Sequence, residues 1–560
     1  MRHLFSLGHW LVLFIVISFP IVSIASLHSV PQPKYEMRAV WLTTIGGLDW
    51  PHSYASTPSS ILQQKRELCD ILDSLVKANV NTVLLQTRIR GTVIYPSVYE
   101  PWDGCLSGKP GVSPKYDPLR FAIEECHKRG LELHAWVVTI PAGQWNKLGC
   151  RKLRERYPNM VKRKGEEGFL DPEYKGTAQY LTNICNEIAS NYDIDGIHLD
   201  YLRYPENWNR MPSADQGRRY ITKIIRSIYH SVKKIKPWIK ISCSPIGKYK
   251  DLSRYSSYGW NAYSRVLQDA QSWLDEGIVD IVYPMMYFQG NQFFPFAIDW
   301  KEHSHDRIIS VGLGIYLLSE HEKDWNLNII KRQMNVLRDY MIGHTYFRSK
   351  FLTDNIKGIY DFIRNNMDLY PALIPPISWQ SSKLPLAPTK ISVNRRDKQD
   401  LLSWSSSTNA QTESYIRYNV YGSTHYPVDI SDVSNLLAVN FRDTVICIPI
   451  DYKCEYMNYA VTTIDRFGNE SFPIYTSPIS SRQDLYRFID NNGYELTLPP
   501  KRPSLDADCI VIENIQGGIM YSGPYVDSVN ISVLPKGCYV IKSLNHKGIT
   551  HRIGWFFLTR

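Results

Sequence analysis

The chain has 560 residues, 44% hydrophobic and 21% charged, a globular balance too long for a single core, so roughly two to four domains are expected. Its net charge of +10 is spread along the chain without a lysine–arginine block, which argues against nucleic-acid binding and suits a partner such as an anionic cell envelope. The 37 Tyr and 15 Trp are a large aromatic share, rings that fill cores and β domains or stack on sugar faces.

In chain order, the first segment is MRHLFSLGHWLVLFIVISFPIVSIAS, a short basic start, an apolar run from Trp10 to Val22, and small residues at Ser23 and Ala25. This pattern predicts a signal peptide over residues 1–25 and a mature protein beginning near Ser26. The apolar run is too short for a membrane span, and no other is seen. The expectation is an exported monomer, periplasmic, outer-membrane-associated or secreted, with no transmembrane helix in its mature form. Ten cysteines follow without a C-x-x-C pair, a spacing that excludes a disulfide scaffold and a zinc site. Cys447 with Cys454 and Cys509 with Cys538 are the pairings left open. No cofactor and no metal are implied.

Residues 36–369 alternate short apolar strands with amphipathic helices. Strands are predicted at 37–44, 81–88, 131–138, 195–200, 240–245, 279–288, 308–316 and 344–351. The intervening helices repeat apolar residues at helical spacing, as in Leu68, Ile71, Leu72 and Leu75, or Ile221, Ile224, Ile225 and Ile228. Asp117 is a predicted N-cap with Pro118 in the first turn and Gly130 past the end. Eight βα units point to a parallel, closed (β/α)8 barrel, and the first strand lacks the G-x-G-x-x-G turn of a dinucleotide-binding sheet. The proline-rich stretch 370–388 predicts a semi-rigid linker. Period-two β patterns follow over 389–480, where an early strand Trp, paired tyrosines and the turn DRFGN resemble a fibronectin type III sandwich. A smaller β unit over 500–560 resembles the C-terminal sorting-type domains of exported Bacteroidetes proteins.

Working residues of such a barrel sit at the C-terminal strand ends. Those ends bring Thr43, Thr44 and Asp49, then Arg88 and Arg90, then His134 and Trp136. The fourth gives His198, Asp200, Tyr201, Arg203 and Tyr204, in the run DGIHLDYLRYPE that closes on Glu206. Later ends give Ser242 and Ser244, Tyr283, Tyr287 and Gln289, Tyr316, Tyr346 and Arg348. One strand-borne carboxylate amid arginines, histidines and aromatic rings is the composition of a carbohydrate cleft. Each also has a plainer role: Arg88 and Arg90 as rim ion pairs, His134 as a core histidine, Tyr283 and Tyr287 as wall.

The segments RAVWLTTIGGLDWP, LLQTRIRGTVIYPS, DPLRFAIEECHKRGLELHAW, FLDPEY, DGIHLDYLRYP and PALIPPISW occur in that order. Together they resemble the glycosyl hydrolase-like 10 family over residues 36–380. The resemblance implies an exported bacterial (β/α)8 enzyme that cleaves glycan strands, including peptidoglycan stripped of its stem peptides. Two positions depart from the family's habit: Thr92 stands where an acidic residue is common, and Tyr201 and Leu202 follow the strand-four Asp.

GIHLD is similar to the G-F-R-x-D of amylase-type barrels, whose Asp is the nucleophile, and the similarity implies that Asp200 is the nucleophile or at least the carboxylate facing the transition state. Leu202 replaces the acid of chitinase-type strand-four motifs. Glycoside hydrolysis normally needs a second carboxyl. Asp49, Asp103, Asp171 and Glu206 are the candidates, with Asp49 and Glu206 nearest a strand end. Two other functions compete: a carbohydrate-binding protein on a decayed barrel, and a metal-dependent polysaccharide deacetylase, whose clustered His and Asp ligands are missing.

Overall fold

The structure is a computed structural model that describes residues 32–558 apart from 207, 209–211, 397–398, 408–414, 450–456, 478–488, 490, 499–508, 515–517 and 545–549. The expected signal peptide lies outside the described residues, as does Cys454. Among the described residues no helix is long and apolar enough to cross a membrane.

Eight parallel strands close into a barrel: β1 (Arg38–Leu42), β2 (Thr82–Arg88), β3 (Glu132–Val138), β4 (Gly196–Asp200), β5 (Lys240–Cys243), β6 (Ile281–Val282), β7 (Ile308–Leu313) and β8 (Gly343–Tyr346). Around the ring they run β1-β8-β7-β6-β5-β4-β3-β2, so every strand neighbours its sequence successor, as right-handed βα crossovers require. Packed on both faces, these strands read as near-continuous apolar runs. β6 is two residues long because Pro284 cannot donate to the ladder, and β8 stops at Tyr346, after which Ser349–Thr353 is helical. Asp117 does cap the helix Pro118–Lys128, its side chain accepting from the Arg120 amide.

Register decides the site. β3 pairs with β4 so that Val138 lies beside Asp200 and Trp136 beside His198. Gly196, which opens β4, is needed there: a Cβ would stand 2.5 Å from the His134 ring.

At the N-terminal end of the barrel, Arg38, Arg338, Glu36, His344 and Asp368 form a buried ion network. Glu36, His344 and Asp368 bring ligand atoms within 4.8 Å of one another, but the two guanidinium groups already hold the carboxylates. The proline-rich stretch is docked against this end rather than acting as a free spacer. Leu373 bridges to Tyr35, Ile374 and Ile377 join the barrel core with Trp41 and Tyr283, and Trp379 donates to Asp280 (2.8 Å).

Beyond it, β9 (Thr389–Arg396), β10 (Gln399–Ser405), β11 (Arg417–Ser423), β12 (Leu436–Phe441), β13 (Val445–Pro449), β14 (Asn458–Ile464) and β15 (Ile474–Tyr475) form sheets of three and four antiparallel strands. Trp404, Tyr418, Val420 and Val461 fill the space between them. This two-sheet unit meets the barrel through Phe467, whose carbonyl accepts from Ile377 (2.8 Å), and through Arg466, paired with Asp193 at 2.7 Å. The last unit has a four-stranded and a two-stranded sheet. Its Cys509 and Cys538 are free thiols: Cys509 lies beside Leu544, at the opposite end from Cys538 of the strand that carries both Leu544 and Cys538, which rules out the pairing left open between them.

Candidate active site

Asp200 ends β4 at the C-terminal mouth and is only 6% exposed. Three donors converge on it. Trp136 Nε1 donates to Oδ2 (3.0 Å), while Ser244 Oγ and the Tyr201 amide donate to Oδ1 (2.8 Å each). Its backbone carbonyl takes both the amide and the hydroxyl of Thr139, which fixes the strand end. Burial pushes the Asp200 carboxyl up, against the Ser244 bond and the Arg203 charge.

The next residues wrap this carboxylate. Tyr201 sits at φ 52°, a left-handed backbone unusual for a tyrosine, and is 37% exposed. The Arg203 guanidinium stacks 4.3 Å from its ring centre and reaches Glu206 with Nη2. Arg203 Nε and Nη1 are buried without a partner, as is the Tyr204 hydroxyl. Tyr204 is packed edge-on against Trp208, its phenol raised by burial and by Glu173 and Asp171. Burial also raises the Tyr201 phenol, with Asp200 the next cause and Arg90 opposing. Arg90, paired to Glu167 at 3.1 Å, therefore belongs to this neighbourhood.

Across the mouth, Tyr287 meets Tyr316 edge-on (5.6 Å) and Phe347 (5.7 Å), and Asp200 and Tyr201 add to the burial that raises its phenol. Gln289 is exposed at the rim. Asp49 lies 2% exposed in the loop after β1. Its Oδ2 accepts from the Thr43 amide (2.9 Å) and hydroxyl (2.7 Å), whereas Oδ1 has no hydrogen-bond partner and faces Arg348 at 3.4 Å. Burial raises this carboxyl too, over the opposing bonds from Thr43 and the Arg348 charge.

Three expected site residues stand elsewhere, and a fourth, Glu206, is at the site but tied to Arg203. Arg88 is fully buried: Glu100 takes its Nε (2.9 Å) and Nη2 (2.6 Å), and the Val138 and Thr139 carbonyls take Nη1, so its head is sealed in the interior, out of reach of a sugar. His134 lies low in β3, bonded to Glu132 (3.1 Å), because it is the third residue of the strand and not its end. His198 is an interior residue between Trp41 Nε1 and Ser242 Oγ (3.1 Å each), and burial drives its pKa well below the ordinary value, so the ring is neutral. Glu206 is held below the usual carboxylate range: its burial works the other way, but Arg203 overcomes it, which suits a fixed anion and not a proton donor. Asp103 caps the helix Gly104–Ser107, and Asp171 accepts from the Glu173 amide (3.0 Å) near Lys162 (3.6 Å).

The sequence profile of the glycosyl hydrolase-like 10 family matches residues 36–220 and 209–323, the arc from β1 past β7 that carries Asp49, Asp200 and the residues around them up to Tyr316. The chain belongs to that family. It is similar to the glycosyl hydrolase YngK of Bacillus subtilis, 26% identical over 81% of this chain and 94% of the relative. It is also similar to the glycosyl hydrolase DigH of Escherichia coli K12, 28% identical over 53% of this chain and 78% of the relative. Among solved structures, an alpha-L-fucosidase isoenzyme from Paenibacillus thiaminolyticus is 12% identical with a TM-score of 0.39, over 58% of this chain and 49% of that one.

For this glycosyl hydrolase-like 10 chain, sequence reasoning saw the strand ends but missed what lies behind them. Gln86 braces the first loop, its Oε1 accepting from the Thr44 (3.0 Å) and Ile45 (2.9 Å) amides. Lys248, buried after β5, is the other omission; only its place three residues past the SP of a strand end marks it.

Proposed function

We propose that the protein is an exported glycoside hydrolase acting on glycan strands, with peptide-free peptidoglycan the favoured substrate. One observation carries this reading: a buried carboxylate at the end of β4, held by an indole N–H, a hydroxyl and a backbone amide, in a mouth lined by Tyr201, Tyr287 and Tyr316. All three donors favour its ionised form and aim its oxygens. Ionised Asp200 attacks or shields the oxocarbenium-like carbon as the glycosidic bond breaks. A second carboxyl gives its proton to the leaving oxygen, and water completes the hydrolysis. Asp49 fits that donor better than Glu206, since burial raises the one while Arg203 lowers the other.

The test is mass spectrometry of products after incubation with peptidoglycan sacculi, stripped glycan strands and a polysaccharide panel. New reducing ends on stripped strands are expected, and their absence on every substrate sinks the reading. A second reading, carbohydrate binding on a decayed barrel, is favoured by the roles of Glu206, Asp103 and Asp171 as fixed partners; binding to strands without any turnover would select it.

A further inference from the structure

The loop from Ser244 to Asn261, after β5, carries three large exposed aromatics within six residues. Tyr255 is 45% exposed, Tyr258 70% and Trp260 48%. Singly exposed rings need no explanation, but three on one short loop at the working end of a barrel do. The backbone beneath them is pinned. Lys248 is fully buried and donates to the Tyr258 carbonyl (2.8 Å) and to Gln292 Oε1, with the rings of Phe288 (4.8 Å) and Phe296 (4.9 Å) beside its ammonium. Gln292 Nε2 in turn donates to the Ser256 carbonyl (2.7 Å). Gly247 lets this loop lie flat on its neighbour, since a Cβ there would come within 2.4 Å of the Met285 carbonyl.

A buried lysine spent on a loop carbonyl is costly unless the loop's position matters. The same pin sets where the rings stand. Lys248 is four residues beyond Ser244, which touches Asp200, so the Tyr258 backbone is held within roughly 30 Å of the carboxylate. Residues 255 to 260 span at most about 17 Å, a length that accommodates about three sugar rings.

We infer that Tyr255, Tyr258 and Trp260 form a fixed stacking platform for a distal stretch of a glycan chain, so that the enzyme grips a polymer several sugars away from the bond it cleaves. The occupant is a glycan because the apolar C–H faces of pyranose rings match exposed aromatic faces, and because the loop that carries them begins at Ser244, whose hydroxyl holds Asp200. The inference rests on the hydrolase reading for its substrate class, but its test is binding.

Tyr258→Ala and Trp260→Ala are to be compared with wild type by co-sedimentation and calorimetry against peptide-free glycan strands, and by KM against strands and a tetrasaccharide. Each Ala variant is expected to weaken strand binding by about tenfold, with a smaller loss on the tetrasaccharide. Tyr258→Phe and Trp260→Phe, which keep a ring, should recover most of the affinity. Unaltered strand binding in the Ala variants, an equal loss at both lengths, or Phe variants as weak as Ala would overturn the platform. Strands bound through these rings but never cleaved would overturn the hydrolase reading and leave the platform standing; no binding at all would overturn both.

Discussion

At the N-terminal end of the barrel Glu36 and Asp368 are buried and Glu132 half-buried among Arg38, Arg338, His344 and Lys240, whereas at the C-terminal end Asp49 faces Arg348 and Asp200 is opposed by the Arg203 charge. Burial pushes every one of these carboxyls up. At the first end the surrounding cations overcome it, holding Glu132 down to about 2 and the other two below their usual range. At the second end burial wins. Desolvation is therefore common to both ends, and the countercharges decide whether a carboxyl is a locked structural anion or a group whose proton affinity is raised. One end then serves stability and, on the proposed reading, the other serves chemistry, as expected of the two faces of such a barrel.

Asp200→Asn breaks the comparison most sharply. It keeps the shape and removes the charge, so kcat on glycan strands should fall at least about 10³-fold, roughly 4 kcal/mol. Stability should hold or rise at neutral pH. A raised carboxyl pKa means the folded state binds the proton more tightly than the unfolded chain, so stability declines as pH climbs through the shifted value. Asparagine escapes that decline, and its advantage should vanish below the ordinary 3.8. A variant that turns over like wild type removes Asp200 from the mechanism; one that unfolds makes it structural.

Arg338→Met tests the opposite end. It leaves the buried Glu36 and Asp368 with Arg38 and His344 alone, at about 3 kcal/mol of stability by denaturant titration. An unaltered midpoint would show that the network does not hold the barrel. Cutting the chain after residue 380 probes the same end from outside. It uncovers Ile377 and leaves Lys34 without Glu470, so melting should come earlier by the equivalent of about 2 kcal/mol. Equal melting of the shortened chain would make the barrel self-sufficient, as the linker reading of residues 370–388 had it.

Arg203→Gln sharpens the comparison at the active end. It deletes the charge opposing burial, so the Asp200 pKa should rise further and the acidic limb of kcat/KM should move to higher pH. A limb that stays or moves down disconnects Arg203 from Asp200. Glu206→Gln is the smallest effect: a carboxylate committed to Arg203 and held below its usual range does not suit the acid's role, so kcat should change by less than about tenfold. A loss comparable to that of Asp200→Asn would reinstate Glu206 as the second catalytic carboxyl.

Hydrophobic periodicity alone determined the eight strands, their order and the placement of Asp200 at a strand end, because period and burial are local properties that each segment carries with it. The family followed from motifs spread along the same arc. Tertiary structure alone decided which charged side chains face the mouth. Arg88 and Arg90 differ by two residues, yet one is consumed by Glu100 and two carbonyls while the other reaches the Tyr201 neighbourhood. His134 and His198 sit on apolar strands beside tryptophans, and only the register shows both as interior. The proline-rich stretch has a linker's composition, but Ile374 and Ile377 find a core that no local pattern announces. A side chain's chemistry depends on the partners that remain after folding, and those partners lie tens to hundreds of residues away in the chain.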